Sequence, residues 1–388
     1  MSGTESLRRF TDRVVELAAE LAGPEFPSGD QADAEQLEHL IDQVVAWLGW
    51  EVFHADPARP AFHRHNDLLT QWGGPNADNV YRHARVEPGR RYRITGHMHS
   101  CSQFLLAVRK GFMHNEVWGT VETLSASDLG LGPDDRVDIT LGGPPVDGAH
   151  VPLPDGAVMV SIREYYDDWL PAEPATFVIE CLDDVGPAPA VTEVELAERL
   201  DRAFGQVSDS LWYWTRYLND QRAQRTVNRF GEGIQVAKGL AQARYSFLFW
   251  DLAPDEAIVV ECDVPDAPYW GFQLYRMGTF ELVDPVGRCT SRNHRQTQVS
   301  ADGRLRLVLA PVDVGAANWL DTAGRPEGLC TLRWFWPRTD ASPETDATVV
   351  KIDAVAEALP GDTPMVTADQ RAAELAARRA HLAWRFRT

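Results

Sequence analysis

Two groups of polar side chains, each next to dense apolar sequence, are the residues best placed to do chemistry. They comprise Asn76, Asp78, Asn79 and Tyr81 early in the chain, and His294, Arg295, Asn318 and Trp319 late in it. Asparagine and tyrosine supply hydrogen-bond donors and acceptors, and histidine can move a proton near neutral pH. If both groups line one cleft between two β regions, that cleft is a candidate substrate pocket. Alternatively, the Asn and Asp residues only stabilise turns through bonds to the backbone.

A pair of carboxylates, Asp167 and Asp168, follows an apolar strand that ends in two tyrosines. Adjacent carboxylates near aromatic rings can divide acid and base roles, or can coordinate a divalent cation. A charged turn after a strand explains the same residues without chemistry. The predicted proton-handling residues are Tyr81, His294, Asp167 and Asp168. The predicted substrate-binding residues are Asn76, Asn79, Asn318, Trp319 and Trp270.

Two His-x-His segments leave the question of metal binding open. The segment His63–Asp67 has the H-x-H-x-D spacing of metallo-β-lactamase-type enzymes, but Leu68 stands where a final histidine is needed. The segment His97-Met98-His99 ends a predicted strand, so both imidazoles share one face, as in a cupin-like site, with His114 and Glu116 on the following strand. A polar loop and a solvated strand end are the alternatives.

Other catalytic and cofactor motifs are absent from the sequence. There is no G-x-S-x-G segment to present a nucleophilic serine. Gly231-Glu232-Gly233 lacks the third glycine of a dinucleotide-binding loop and does not follow a predicted strand. We therefore expect no cofactor.

Charge and cysteine usage narrow the partners and the compartment. The formal net charge is -20, which disfavours binding to nucleic acids and to anionic membrane surfaces. The five cysteines are scattered without a C-x-x-C pair, which is typical of reduced thiols. No stretch reaches the roughly 18 apolar residues of a membrane span, and the N-terminus lacks the apolar core of a secretory signal. A cytoplasmic location is expected.

Segments with helical periodicity precede, separate and follow two regions with the alternating pattern of β-strands. Apolar residues recur at helical spacing over 4–22 and 31–48, and a final helix is predicted over 368–385. Thr192 and Glu195 have the spacing of a capping box ahead of a helix to about residue 204, and a second helix is predicted over 209–229. The predicted segments are a helical pair at 1–55, a first β domain at 56–190, a helical connector at 191–243, a second β domain at 244–345 and a C-terminal helical segment at 346–388.

The strand candidates have the spacing of an antiparallel sandwich or jelly roll. In the first region they cover 79–86, 91–98, 103–109, 116–124, 136–141, 157–165 and 176–182. In the second they cover 245–252, 257–264, 269–276, 295–300, 304–311 and 329–336. Glu87-Pro88-Gly89 predicts a hairpin between the first two strands, and Ala301–Arg304 predicts a tight turn. The predicted fold class is mainly β, with two jelly-roll or β-sandwich-like regions and N-terminal, connecting and C-terminal helices.

The second β region resembles the family named domain of unknown function 1214 over about residues 245–340. The segments that carry the resemblance are Tyr269–Tyr275, Asn293-His294-Arg295, Asp302-Gly303, Ala317–Leu320 and Leu332–Pro337, with a weaker extension to Asn76–Tyr81. The resemblance implies two jelly-roll-like domains with helical additions and brings no catalytic mechanism. Asp321-Thr322-Ala323 departs from the proline-containing loop of related proteins.

The sequence leaves two functions open. One is an enzyme, a hydrolase, lyase or isomerase, that uses acid–base chemistry on a small, largely apolar substrate in an aromatic-lined cleft between the domains. The other is a non-catalytic module that binds a sugar or a hydrophobic metabolite. The thirteen tryptophans either line such a pocket or pack the core. The expected partner is a small-molecule ligand, and the terminal helices leave oligomerisation open.

Overall fold

The computed structural model describes residues 3–170 and 173–386, and its architecture is mainly β. Four sheets of four strands each form two β-sandwich-like regions with flanking helices. The helices are α1 (Gly3–Glu20), α2 (Asp30–Leu48), α3 (Glu193–Ala223), α4 (Val355–Ala358) and α5 (Ala368–Arg385). Short helical turns occur at Gly49–Phe53, Ser127–Leu129 and Ile352–Ala354. The predicted fold class is confirmed.

The first sandwich is built from eight strands that share one apolar core. They are β1 (Asn79–Arg85), β2 (Tyr92–His97), β3 (Gln103–Arg109), β4 (Thr120–Ser125), β5 (Arg136–Leu141), β6 (Ala149–Val151), β7 (Met159–Tyr165) and β8 (Thr176–Cys181). The two sheet orders are β1-β7-β3-β4 and β6-β5-β2-β8. Residues such as Phe104 and Ile139, one from each sheet, are fully buried in this core.

The hairpin predicted at Glu87-Pro88-Gly89 is wrong. Strand β1 pairs with β7, while β2 pairs with β5 and β8 in the other sheet. The Pro-Gly segment therefore carries the chain across the sandwich, from one sheet to the one that faces it. A turn signal is compatible with either path, since it sets local backbone angles and not the strand partner.

The second sandwich repeats this plan. Its strands are β9 (Ala243–Asp251), β10 (Glu256–Asp263), β11 (Tyr269–Tyr275), β12 (Ser291–Asn293), β13 (Arg304–Ala310), β14 (Trp319–Asp321), β15 (Glu327–Phe335) and β16 (Thr345–Lys351). The sheet orders are β12-β11-β15-β9 and β14-β13-β10-β16. Side chains from both sheets, among them Val260 and Phe272, bury each other between them.

Three local predictions in and beside this sandwich differ from the structure. The segment 295–300 is not a strand; only Val299 forms an isolated bridge, to Leu305, across the turn at Ala301–Arg304. Strand β16 lies where the sequence predicts the start of the C-terminal helical segment, and it pairs with β10. The helices predicted up to residue 204 and over 209–229 are one continuous helix, α3, of 31 residues.

Helix α3 begins as its sequence predicts and provides the surface on which the N-terminal helices pack. The Thr192 hydroxyl accepts the Glu195 backbone N–H at 3.2 Å, which satisfies one free donor of the first turn. Both α1 and α2 lie against α3. Phe10 of α1 is buried against Leu200 and Ala203 of α3.

Helix α5 joins the two sandwiches through arginines spaced seven residues apart. Arg378 donates to the Pro285 and Ser291 carbonyls, both at 3.1 Å, in the second sandwich. Arg385 donates to the Ala77 carbonyl, just before the first sandwich begins. Both side chains are buried, so a helix with a polar sequence serves as an internal brace. Among the helices within 3–170 and 173–386, none combines the length and apolar character needed to cross a membrane.

Candidate functional site

The two sandwiches meet through the outer faces of one sheet each. In the first, Tyr81 lies opposite Arg163 in the strand register, while the neighbouring Ile162 points into the sandwich core. In the second, Arg333 lies opposite Tyr245. Because side chains alternate between the two faces of a strand, each sheet buries one face in its own core and turns the other towards the partner sandwich.

An apolar cluster closes one side of this contact. Tyr165 of β7 packs edge-on against Tyr269 of β11 and Phe335 of β15, with ring centroids 5.2 and 5.6 Å away. Leu105 and Ala107 of β3 belong to the same buried cluster. The halves are therefore held together by packed rings, which favours a fixed and not a hinged geometry at this joint.

Asp78 is the polar centre of the joint. Its carboxylate accepts the Trp169 indole N–H at 2.8 Å, the Tyr269 hydroxyl at 2.5 Å and the Asn293 amide at 3.1 Å. Burial raises the pKa of Asp78, and the three donors oppose that rise. Two of the donors come from the second sandwich, so the carboxylate ties the two halves together. Asp78 belongs to the Asn/Asp/Tyr segment noted in the sequence, and its bonds hold the two sandwiches in position against each other.

Asn76 and Asn79, predicted to bind substrate, also hold protein groups. The Asn76 amide donates to the Tyr269 hydroxyl at 2.8 Å, and its carbonyl accepts from Gln273. The Asn79 amide donates to the Glu164 carbonyl at 2.7 Å. These bonds leave Tyr81 as the member of the segment whose side chain reaches a cavity.

That cavity lies between the two facing sheets and has a volume of about 80 Å³. One water needs roughly 10–15 Å³ on the same measure, so the space suits several waters or one small organic molecule. Its lining comes from both sandwiches, from helix α3 and from the loops before β1 and β9. The aromatic part of the wall consists of Trp72, Tyr81, Trp214, Tyr217, Tyr245, Phe247 and Phe280.

Three arginines face this cavity: Arg109 from β3, Arg163 from β7 and Arg333 from β15. No aspartate or glutamate lines it, and none of the three guanidiniums has a carboxylate partner in the described part of the chain. Arg163 lies over the Tyr81 ring at 5.5 Å, and Arg333 donates to the Gly74 carbonyl at 3.2 Å. Burial, with the nearby Arg163 charge, lowers the pKa of Arg109 to about 9. The cavity is thus a concentration of positive charge in a protein with a net charge of -20.

Several buried polar atoms at the cavity lack a hydrogen-bond partner among residues 3–170 and 173–386. They are Asn66 Oδ1, His83 Nδ1, Arg109 Nε, Trp214 Nε1, Thr331 Oγ1 and Arg333 Nε. Most buried polar groups in proteins are bonded to protein or to ordered water. Such a group of unsatisfied atoms around one space is therefore the pattern that a ligand or ordered waters would complete.

A Gly-Gly pair shapes one wall. Gly73 and Gly74 both have positive φ, +67° and +65°, where a Cβ is disfavoured. A Cβ on Gly73 would approach the Trp214 ring to 2.7 Å, and one on Gly74 would overlap the Phe280 ring. The glycines let the backbone pass between two rings. Neither this pair nor the three arginines is among the site residues predicted from the sequence. A charged residue within an apolar strand is the signal that could have found the arginines.

The His63–Asp67 segment forms no convergent metal site in the described residues. The His65 ring is fully buried, with its centroid 5.2 Å from His63 and 4.5 Å from His83. The rings lie beside one another and extend the aromatic cluster towards the cavity, which His83 lines. Burial, followed by neighbouring positive groups, lowers the pKa of His65 and of His83 well below the ordinary value. Asp67 accepts the Leu69 N–H at 2.8 Å, as in a turn.

Asp167, Asp168 and His294 lie outside the cavity lining. Asp167 Oδ2 contacts His294 Nε2 at 3.2 Å and Arg295 Nε at 2.7 Å. Burial acts to raise the pKa of Asp167, but the bonds from His294, Ser102 and Arg295 outweigh it and keep the pKa well below the usual range. Asp168 is exposed and accepts a backbone N–H from its own turn. The two carboxylates therefore do not form a pair that shares a proton.

Asn318, Trp319 and Trp270 do not line the cavity either. The Asn318 amide donates to the Gln298 and Arg306 carbonyls at 2.7 and 2.9 Å, and its own oxygen accepts the Gln298 N–H at 2.8 Å. Trp319 donates to the Ala310 carbonyl at 3.0 Å, and Trp270 packs in the second sandwich core. The turn-stabilising interpretation describes the surroundings of Asn318, and Tyr81 shares no contact with it.

Comparisons with known proteins address the fold. Neither a family model nor a curated protein matches the sequence. A crystal structure of an uncharacterised protein from Burkholderia cenocepacia is similar, with 27% identity, a TM-score of 0.81, and coverage of 90% of this chain and 97% of that one. A protein from Vibrio parahaemolyticus shows 12% identity and a TM-score of 0.47, covering 82% of this chain and 99% of that one. The first comparison shows that both sandwiches and their connecting helix recur together.

Proposed function

We propose that this protein binds a small organic anion with an aromatic or apolar body in the cavity between the two sandwiches. The observation that carries the proposal is the set of three buried or half-buried guanidiniums that face one cavity with no carboxylate beside them among residues 3–170 and 173–386. Guanidinium groups pair with carboxylates and phosphates through parallel hydrogen bonds, so an anionic head group is the natural complement.

The electrostatics favour an anion over a neutral ligand. Removing a charge from water without a partner is costly, and Arg163 lies close enough that its charge destabilises the charged form of Arg109. An anion that binds between them offsets both penalties. A neutral sugar would offset neither penalty. We therefore place an organic anion ahead of a sugar within the binding-module hypothesis.

The aromatic part of the cavity lining indicates the rest of the ligand. Trp72, Trp214, Phe247 and Phe280 present ring faces and edges, which suit an aromatic or short aliphatic body. The enclosed volume of about 80 Å³ is smaller than the roughly 150 Å³ cavity that holds benzene in another protein, so a ring fits only if part of it extends beyond the enclosed space. A short-chain carboxylate fits both constraints, and a monocyclic aromatic carboxylate fits them with its ring partly outside.

An acid–base enzyme that uses this cavity is the second candidate. It is supported by Tyr81 and His83, which are two residues apart on β1, share one face of the strand and both line the cavity. The Tyr81 hydroxyl accepts the Asn76 backbone N–H at 2.8 Å, which leaves its own hydrogen for a ligand. The His83 Nδ1 has no partner in the described residues, and burial favours the neutral imidazole, the form that acts as a base. Hydrolase, lyase and isomerase chemistry all remain open to such a pair.

Family membership and location are further proposals. Two β-sandwich regions with helical additions are the architecture that the resemblance to domain of unknown function 1214 implies, and its motif segments fall on β11, β12, β14 and β15. A cytoplasmic location is supported by the five cysteines, all of which are free thiols in the structure. Refolding with and without reductant would test whether the thiols need a reducing environment.

The binding proposal is tested by calorimetric titration with benzoate and hexanoate beside the neutral analogues benzamide and hexanamide. We expect saturable binding of a carboxylate and no measurable binding of its amide. Arg163→Gln should weaken binding by about tenfold or more, because a charge-assisted pair is lost. Arg93→Gln is the matched control, since Arg93 is a strand arginine of the same sandwich that faces solvent and pairs with Asp138.

Equal binding of acids and amides, or equal loss in both arginine variants, would contradict the anion proposal. If the carboxylate binds, incubation with carboxylates that also carry an ester, a hydroxyl group or a double bond, followed by chromatography and mass spectrometry, separates enzyme from module. Conversion that disappears in Tyr81→Phe while binding persists supports acid–base catalysis. Binding without any conversion supports the module.

A further inference from the structure

We propose that His97, His99 and Asp134 form a binding site for a divalent transition-metal ion, with zinc as the ion that best suits the set. The ligand atoms of these three side chains all lie within 4.8 Å of one another. None of the three lines the cavity described above, so this site is separate from the proposed anion site. Two imidazoles with one carboxylate are a common zinc ligand set that keeps one coordination position open.

The backbone brings the ligands together at one end of the first sandwich. His97 is the last residue of β2, and Asp134 lies two residues before β5, its partner strand. Beyond the ladder, the Met98 N–H donates to the Asp135 carbonyl at 2.9 Å, and the Asp134 N–H donates to the His99 carbonyl at 2.8 Å. These bonds hold the two ligand-bearing segments side by side before any ion binds.

The side chains need only small movements to enclose an ion. The two imidazole centroids are 3.9 Å apart with their planes tilted by 33°. Zinc–nitrogen bonds of roughly 2.0–2.1 Å require ligand atoms that are closer together than the 4.8 Å limit seen here. All three side chains reach solvent, Asp134 most of all, so side-chain rotation can supply that adjustment.

The groups around His97 and His99 are compatible with a bound metal ion. Glu173 Oε2 lies 3.7 Å from His99 Nδ1, beyond hydrogen-bonding distance, where its negative charge favours a cation beside this ring. The His99 N–H donates to His97 Nδ1 at 3.1 Å, and an ion bound at that nitrogen would replace this single hydrogen bond. Arg136 lies opposite His97 in the strand register but is exposed, so its cation can turn into solvent.

The ligand set differs from the one expected from a cupin-like arrangement. His114 Nε2 bonds to Gln206 Oε1 at 2.7 Å inside the helical layer, and Glu116 is exposed on a separate loop. The third ligand instead comes from the turn ahead of β5. The His-x-His motif was visible in the sequence, whereas its carboxylate partner was decided by strand pairing.

The test is equilibrium dialysis of the full chain against zinc chloride after chelator treatment, with elemental analysis of the bound ion. We expect one zinc ion per chain at the site, with an affinity that falls by about tenfold or more in His99→Gln and in Asp134→Asn. Glu173→Gln should cause a smaller loss, since Glu173 contributes a nearby negative charge and no ligand atom. His150→Gln is the control, because His150 is a partly exposed strand histidine of the same sandwich.

Circular dichroism on each variant establishes that the fold is retained. Zinc binding that is unchanged in the His97→Gln/His99→Gln double variant would overturn the proposal. So would the absence of bound zinc in the wild-type chain, or an equal loss in His150→Gln. Benzoate titration of Asp134→Asn should match the wild type, so failure of the zinc site and failure of the anion site are distinguishable.

Discussion

The burial of His114 predicts that this protein loses stability on mild acidification. Its ring lies between Trp47 and Phe112, with centroids 4.9 and 5.6 Å away, and bonds to Gln206. Burial lowers the pKa of His114 from 6.5 to about 4, and the charge of Lys238 adds to this effect. In the unfolded chain the imidazole is solvated and titrates near 6.5.

The size and sign of the effect follow from proton linkage. Between pH 6.5 and 4 the unfolded state binds a proton that the folded state does not, so the free energy of unfolding falls as the pH falls. At 1.36 kcal/mol per pH unit, His114 contributes about 3 kcal/mol that is fully present above pH 6.5 and lost by pH 4. About 2 kcal/mol of this should be lost already at pH 5.

The assay compares urea unfolding at pH 7 and pH 5 for the wild type and for His114→Gln. The variant is expected to be less stable at both pH values because it alters a packed ring. Its difference between pH 7 and pH 5 should nevertheless be smaller than that of the wild type by about 2 kcal/mol. His150→Gln should leave the wild-type difference intact. The reasoning is refuted if His114→Gln keeps the full pH dependence of the wild type.

Two further predictions concern the turn and the cavity wall. Asn318→Ala should lower the free energy of unfolding by about 1–3 kcal/mol, because it leaves the Gln298 and Arg306 carbonyls without their donor, while carboxylate binding stays unchanged. Calorimetry on the folded variant measures both the stability and the carboxylate binding. A loss of binding would show that Asn318 does contribute to the site. Gly74→Ala should destabilise by about 1–3 kcal/mol more than Gly89→Ala in thermal unfolding, since both have positive φ but only Gly74 faces a ring. Equal costs would mean that the Phe280 ring moves aside freely.

Periodicity located most of the elements of this protein. Helices α1, α2 and α5 begin and end within about two residues of their predicted bounds, because an amphipathic pattern is a local property of the chain. The strands with clear alternation were found for the same reason. The short strands β6, β12 and β14 were missed, since three residues are too few to show a period.

The candidate site was predictable only in part. Tyr81 is predicted from the sequence and lines the cavity, whereas Asn76 and Asp78, from the same segment, form the contact between the sandwiches beside it. His294 and Asp167 do contact each other, but away from the cavity. In each case the residue type was informative about bonding capacity, while the bonding partner depended on a strand far away in the sequence.

The sequence by itself determined which stretches form strands and helices, that the chain is mainly β, and that its thiols are scattered. Only the tertiary structure decided that Arg109, Arg163 and Arg333 face one cavity. These residues lie on three strands from two sandwiches, and a strand arginine by itself does not show whether its face meets solvent or another sheet. Strand periodicity specifies which face a side chain occupies, but what lies opposite that face depends on how the two sandwiches dock.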